Sequence, residues 1–531
     1  MSKRRKQTLP LDAPLTDLGH GRPMTRRDLI AQGFRAGVGA AMMPALAAGL
    51  AGRGARAQHL NPAYAAEWLD RCRLGAGNAP RIPFICFDLA GGASVAGNAL
   101  PGGPGGQLDF ISSAGYAKMG IPGDQVPGVT NAGGTENYDT TFGMAFHSDS
   151  GFLRGMLEKA APAGPNTHGA FIPARSENDT GNNPHNPMYP IHAIGGADGE
   201  LATLIGSRSS DSGGNSLAPA LVVDPTKRPT KIDRPEDVTG LVDTGDLVSL
   251  LSLDDSVKVM ESIHRISGAR VDRMRPSLSS DDTRRAVVED LVQCGYAKTA
   301  YLVNTFGDPS SLDPEQDPDI LGPSGIFSTD EWRDGEFRKT ASVMKMVISG
   351  FSGAGTITMG GYDYHNGTRS TGETRDLRAG RCMGACLEYA RRRNTPLMMY
   401  VFSDGGISSN GMVDDSMDGR GKLAWSSDNQ STAAAFFLVY DPNGRATPMS
   451  RFDPTMGGPQ LGWFTPDGSA ATTSSPAANN VNQLVQLVVL NYLALHGEQG
   501  SFGNRWISTY GVGSAFGIDP DPWVAFEPIL S

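Results

Sequence analysis

Asp363 and His365 lie in the run Gly360-Gly361-Tyr362-Asp363-Tyr364-His365. A carboxylate and an imidazole this close offer one divalent cation a hard oxygen and a borderline nitrogen. That pairing suits zinc, manganese or magnesium; calcium would prefer oxygen alone. A second acid, Asp404, stands in Phe402-Ser403-Asp404-Gly405-Gly406, and a third, Asp88, in Phe87-Asp88-Leu89-Ala90-Gly91-Gly92. Each follows an apolar run of strand length and has glycines nearby. In an open α/β sheet, ligands bind outside the carboxyl ends of the strands, so the three carboxylates are expected to face one crevice. The plainer reading is that each makes a structural hydrogen bond or caps the next helix.

Arg175 and Ser176 open a very polar run that follows the apolar stretch Gly169 to Ala174. Ser176 is a candidate nucleophile or phosphate-binding hydroxyl, with Arg175 supplying charge. Ser94, after the Gly91-Gly92 turn, is a second serine candidate. A solvated loop is the plainer reading of the polar run.

The elements that must position these residues alternate along the chain. Strands are expected at 81–88, 169–174, 218–223, 356–359, 397–403 and 433–440. Helices are expected at 64–73, 151–159, 191–205, 246–267, 282–306, 336–348, 371–393 and 481–495, from apolar residues at helical spacing. Residues 308–323 form an acidic loop broken by prolines. It imitates a calcium loop but lacks the glycine at the sharp turn and the closing Glu, so it reads as surface. Alternation from Arg81 to Leu495 without a linker favours one α/β domain, 58–531, with a mostly parallel central sheet flanked by helices. Gly 68 and Pro 36 make roughly a fifth of the chain, against an average nearer an eighth. Long ordered loops around the scaffold follow.

Residues 1–57 read as a targeting segment rather than fold. Lys3 to Lys6 are basic, Arg26-Arg27 form a twin arginine, Phe34 to Leu50 is mildly apolar, and Ala55-Arg56-Ala57 offers a cleavage site. This resembles a Tat signal and implies export, with the Tat translocation machinery as a partner and a periplasmic or extracellular location. The segment carries 10 Lys and Arg against 3 Asp and Glu. Removing that +7 from the chain's -10 leaves -17 for the remainder. So acidic a body excludes the usual nucleic-acid binder and binder of anionic membranes. No later run is apolar enough to span a bilayer. The cysteines, Cys72, Cys86, Cys294, Cys382 and Cys386, are odd in number and sparse, so this is no disulfide scaffold. Cys382 and Cys386 share a helix face, as two small buried residues or as a metal pair.

The order of a Tat-type start, the Asp88 strand and Gly-rich turn, the Gly-Gly-aromatic-Asp-x-His motif and the Ser-acid-x-Gly strand end resembles an exported bacterial family, domain of unknown function 1501. That family is often placed with sulfatases in the alkaline-phosphatase-like superfamily. The resemblance implies an alkaline-phosphatase-like sheet with divalent metals at the strand ends. Asp363 and His365 match its first motif and Asp404 its second, and Asp88 matches the first-strand acid of the superfamily. The family's Thr-Asp-His-Gly run is here Ser427-Asp428-Asn429-Gln430, which keeps Asp428 as a ligand and loses the histidine. Its Glu-Phe-Gly-Arg becomes Asp404-Gly405-Gly406-Ile407, which loses an anion-binding arginine. The sulfatase Cys-x-Pro-x-Arg signature is absent. The implied protein is an exported, metal-dependent phosphoric or sulfuric ester hydrolase acting on a small ester. The alternative is a catalytically degenerate binding or assembly protein on the same scaffold.

Overall fold

A computed structural model of the chain describes residues 61–72, 81–131, 133–176, 186–206, 229–242, 252–278, 309–516 and 520–530, with parts of 293–305. The segment read as an export signal and the strand expected at 218–223 lie outside these residues. By their contacts the described residues form two units. One takes in those up to 79 with those of 242–309; the other takes in 80–241 with 310–531.

In the first unit, the helices Pro62–Arg71 and Leu253–Leu278 contribute Tyr64, Trp68 and Val257 to a small core that also holds Cys72, Ala297 and Ala300. The Tyr64 hydroxyl lies 2.6 Å from His264 Nδ1, and the Trp68 ring packs edge-on against the same imidazole. Cys72 is joined to Cys294 by a disulfide. The two cysteines are 222 positions apart, which is why sequence spacing does not suggest the pair.

The second unit holds the strands. In chain order they are β1 (Phe84–Ala90), β2 (Tyr138–Asp139), β3 (Phe146–His147), β4 (Thr167–Pro173), β5 (Ala202–Gly206), β6 (Thr230–Lys231), β7 (Ser352–Gly360), β8 (Leu397–Phe402), β9 (Ile407–Val413), β10 (Leu423–Asp428) and β11 (Ala434–Tyr440). Seven form one sheet in the order β4-β11-β8-β1-β7-β5-β6. β1 runs parallel to β7 and β8, and β5 parallel to β7 and β6; β11 runs antiparallel to both its neighbours, β4 and β8. The architecture is α/β with a mostly parallel sheet flanked by helices. β1 lies at the centre, buried almost throughout, as a strand covered on both faces must be.

Alternation along β1 divides the core. Phe84 and Cys86 join the cluster under the Val481–Ala494 helix. Ile85, Phe87 and Leu89 are buried toward the other face. There the Gly335–Ile348 helix crosses Gly355 of β7, with Val343 and Val347 against it. The Val481–Ala494 helix is apolar nearly all round. Its two buried amides are both used: Gln486 accepts from Ala515 N (3.0 Å) and Asn491 from Ala525 N (2.7 Å), so they hold the C-terminal segment. Cys382 and Cys386 are buried thiols on the Ser370–Arg393 helix. Burial pushes Cys382 up to about 12 and Cys386 well above its ordinary value, so neither is a thiolate near neutral pH.

One expected helix is corrected. Residues 191–205 hold only a short helix, Met188–Ala193, followed by β5. Gly195 and Gly196, the second with φ +69°, end the helix, and the β-branched Thr203 and Ile205 suit a strand.

Candidate metal centre

The segment after β7 has a two-residue rhythm. Tyr362 and Tyr364 are buried, while Asp363 is exposed and His365 half-buried between them and the loop that follows. Each tyrosine is fastened by its hydroxyl. Tyr362 donates to Arg375 O (2.9 Å), and Tyr364 to Asp376 Oδ1 (3.0 Å) while accepting from Ser94 N (2.9 Å). The apolar rings are thus pulled inward, and alternation turns the two candidate ligands outward.

Asp428 reaches the same place from a different element. It ends β10, which pairs antiparallel with β9 in a two-stranded arm. The arm is clamped to the loop after His365: Gly367 N donates to Trp425 O (2.9 Å), and Trp425 N to Thr368 O (3.2 Å). The Trp425 ring lies under the Arg369 guanidinium, 4.2 Å from its carbon. A desolvated pair of this kind is worth about 2 kcal/mol. A buried ion cluster adds to the clamp: Glu373 meets Arg369 and Lys422 at 2.9 Å each. Burial alone would raise the Glu373 carboxyl, but the Lys422 and Arg369 charges hold it down at about 2.

The result is a triad. His365 Nδ1 lies 2.5 Å from Asp363 Oδ1 and 3.2 Å from Asp428 Oδ1, and one ligand atom from each residue falls within 4.8 Å of the others. Nδ1 makes no hydrogen bond of good geometry among the described residues. Ligand atoms at about 2.0–2.2 Å from a tetrahedral ion stand roughly 3.3–3.5 Å apart. The Asp428 separation is close to that, and the Asp363 oxygen would have to move out by under about 1 Å. These residues fit one divalent cation, with room for water or substrate because all three are partly exposed.

The turn after β1 brings the segments together. Gly91 N donates to Asp404 Oδ1 (2.7 Å). A Cβ at Gly91 would overlap the backbone N of Asp363, and Gly91 has φ +137°. Gly92 lies against Asp428 Oδ1 and Gly406 O. Only glycine permits so close a backbone crossing in that conformation.

The other candidate residues lie around this turn and not in the triad. Asp88 is buried within β1, two residues before its end, where its Oδ2 accepts from Thr358 Oγ1 (3.1 Å). Asp404 is buried as the acceptor for Gly91 N. Ser176 is buried, and its hydroxyl donates to Asp404 O (3.0 Å). Arg175 is half-buried, and its enclosed Nε has no hydrogen-bond partner among the described residues. Its backbone N donates to Ala478 O (2.8 Å). Ser94 is buried at the start of a one-turn helix without capping it. β4, β8, β1 and β7 all present their carboxyl ends on this side. Asn429, where the resembling family has histidine, caps the turn 430–432 by accepting from Ser431 N (3.0 Å). The sequence marks the Gly91-Gly92 turn and the Gly-Gly-aromatic-Asp-x-His motif, but not the close crossing at Gly91 or the anchoring of the Tyr362 and Tyr364 hydroxyls, which rest on distant partners.

Among family models, curated proteins and solved structures, none matches this chain.

Proposed function

We propose that the chain is an exported, metal-dependent hydrolase of phosphoric or sulfuric esters on an alkaline-phosphatase-like scaffold. The observation that carries the reading is the Asp363–His365–Asp428 triad beside the carboxyl ends of a mostly parallel sheet. Asp363, His365 and Asp428 would hold one zinc, manganese or magnesium ion. Bound there, such an ion supplies Lewis acidity toward an ester oxygen. The chain's own part is positional. Tyr362 and Tyr364 hold the two outward ligands at the strand end. Arg175, whose enclosed Nε has no partner among the described residues, has charge to offer an anionic ester. Ser176 would stand by as nucleophile, its hydroxyl oriented by the Asp404 carbonyl. The Cys72–Cys294 disulfide supports a location in an oxidising compartment.

A second reading has its own observation. Asp88 and Asp404 both use carboxylate oxygens on internal donors, Thr358 and Gly91, which suits a protein that keeps one cation site for binding or assembly without turnover. Metal analysis of the exported protein and hydrolysis of nitrophenyl phosphate and nitrophenyl sulfate separate the two. Stoichiometric zinc or manganese, lost together with hydrolysis in Asp363→Ala, supports the hydrolase. Stoichiometric metal with no hydrolysis supports the binding protein. A folded chain that takes up no divalent metal sinks both.

A further inference from the structure

An open cleft of about 620 Å³ runs along the N-terminal half of the Ser370–Arg393 helix. Its wall carries Arg375, Arg378 and Arg381 at three-residue spacing, so all three lie along one side of the helix. Opposite charge is thinner: among the described residues the lining holds only Asp334 and Asp418, with Glu336 also acting on Arg378 from nearby. The arginines differ in what already occupies them. Arg381 is taken by Glu158 (2.5 Å). Arg378 has a loose contact with Asp334, Nη1 to Oδ2 at 3.5 Å, and its Nε is enclosed without an acceptor. Arg375 has neither an ion pair nor a side-chain hydrogen bond among the described residues. Ser370 also lines the cleft. The helix N-terminus is not the attraction. Asp414 already caps it, with Oδ2 accepting from Arg369 N (2.7 Å) and Ser370 N (3.2 Å).

We propose that this cleft binds a tetrahedral oxyanion group, phosphate or sulfate, through the guanidinium groups of Arg375 and Arg378. A guanidinium presents a rigid fork of donors that fits two oxygens of one such group. Two forks on successive turns can share it, and a carboxylate has fewer oxygens to offer them. Arg375 also packs against the segment that leads to the candidate metal centre. A Cβ on Gly361 would lie 2.9 Å from Arg375 Cζ, and Gly361 is two residues before Asp363. An anionic ligand held here therefore sits beside that strand end. The site itself needs no metal and stands whether or not the hydrolase reading does.

Calorimetric titration of the metal-free exported protein with inorganic phosphate, and separately with inorganic sulfate, tests the assignment. Phosphate is expected to bind, and Arg375→Gln and Arg378→Gln are each expected to weaken it by about tenfold. Asp418→Asn removes an opposing charge and is expected to tighten binding at low salt, a change that damage to the fold would not produce. The ratio of the two affinities tells which oxyanion the cleft prefers. No binding of either anion at millimolar concentration overturns the proposal. So does phosphate binding that is unchanged in both arginine variants.

Discussion

Tyr364 stands between the two candidate ligands of its segment, and its hydroxyl rests on a carboxylate that has been removed from water. Asp376 is fully buried; Asn98 Nδ2 donates to it at 2.7 Å and Tyr364 at 3.0 Å. Burial first, then the nearby Glu373 charge, pushes this carboxyl from its ordinary 3.8 up to about 7. The sign of the consequence follows from proton counting. Below pH about 4 the group is protonated in both the folded and the unfolded chain. Between about 4 and 7 the unfolded chain has lost the proton that the folded one keeps. Stability therefore falls as pH rises through that window, by at most about 1.4 kcal/mol per unit. Asp376→Asn keeps an acceptor for Asn98 and cannot ionise. Its urea midpoint is expected to be flatter between pH 5 and 7 than that of the parent. Equal slopes in the two proteins would remove Asp376 as the cause.

The acidic stretch 308–323 belongs at the scale of elements, because it ties several together. It reads as a surface loop in sequence, and short turns at Pro309–Ser311 and Pro314–Gln316 keep it irregular. Asp317, however, is buried. Its Oδ2 receives Tyr389 OH (2.8 Å), Arg393 Nη2 (2.6 Å) and Lys345 Nζ (3.2 Å). One carboxylate thus pins the loop to the Gly335–Ile348 helix and to the end of the Ser370–Arg393 helix. Removing it would leave Lys345 charged and enclosed. Asp317→Ala is expected to cost roughly 3–5 kcal/mol, read by urea denaturation. A cost under about 1 kcal/mol would return the stretch to an ordinary surface loop. Glycine joins the next pair of elements. Gly155 and Gly380 let the Gly151–Ala160 and Ser370–Arg393 helices approach until a Cβ on either would meet the other's backbone.

For the whole molecule, the longest-range covalent link lies in the first unit. The Cys72–Cys294 bridge spans 222 positions, and in the chain-entropy view so long a loop gives a disulfide most of its effect, about 2–4 kcal/mol. Among the described residues the cluster of Tyr64, Trp68, Val257 and Ala300 is far smaller than the core beneath the central sheet. In the double variant Cys72→Ser, Cys294→Ser, amide exchange is expected to rise in the helices Pro62–Arg71 and Leu253–Leu278. Protection of β1 and β8 should be unchanged, since their packing lies within the other unit. Faster exchange in β1 to the same degree would mean that the two units unfold as one. Among the described residues no helix is long and apolar enough to cross a membrane.

Much of this arrangement is local and therefore legible in sequence. β1, β7, β8 and β11 are apolar runs between glycines and turns, and the helices at 151–160, 335–348, 370–393 and 481–494 show their apolar period. The alternation of Tyr362, Asp363, Tyr364 and His365 already turns two ligands to one side. Strand ends rich in acid and glycine mark the side of the sheet that matters. The identity of the third triad member rests on contacts between distant segments. Asp428 meets His365 because Trp425 is stacked under Arg369 and hydrogen-bonded to the 367–368 backbone, and because Gly91-Gly92 leaves no side chain in the way. Asp88 and Asp404 carry the same kind of local signal as Asp363. Tertiary packing gives both an internal donor and a buried position, while Asp363 stays exposed. Local pattern determines which way a side chain leaves the backbone. What it meets there is decided by packing across the sheet, where a neighbouring backbone N–H, a hydroxyl or water can each answer the same carboxylate.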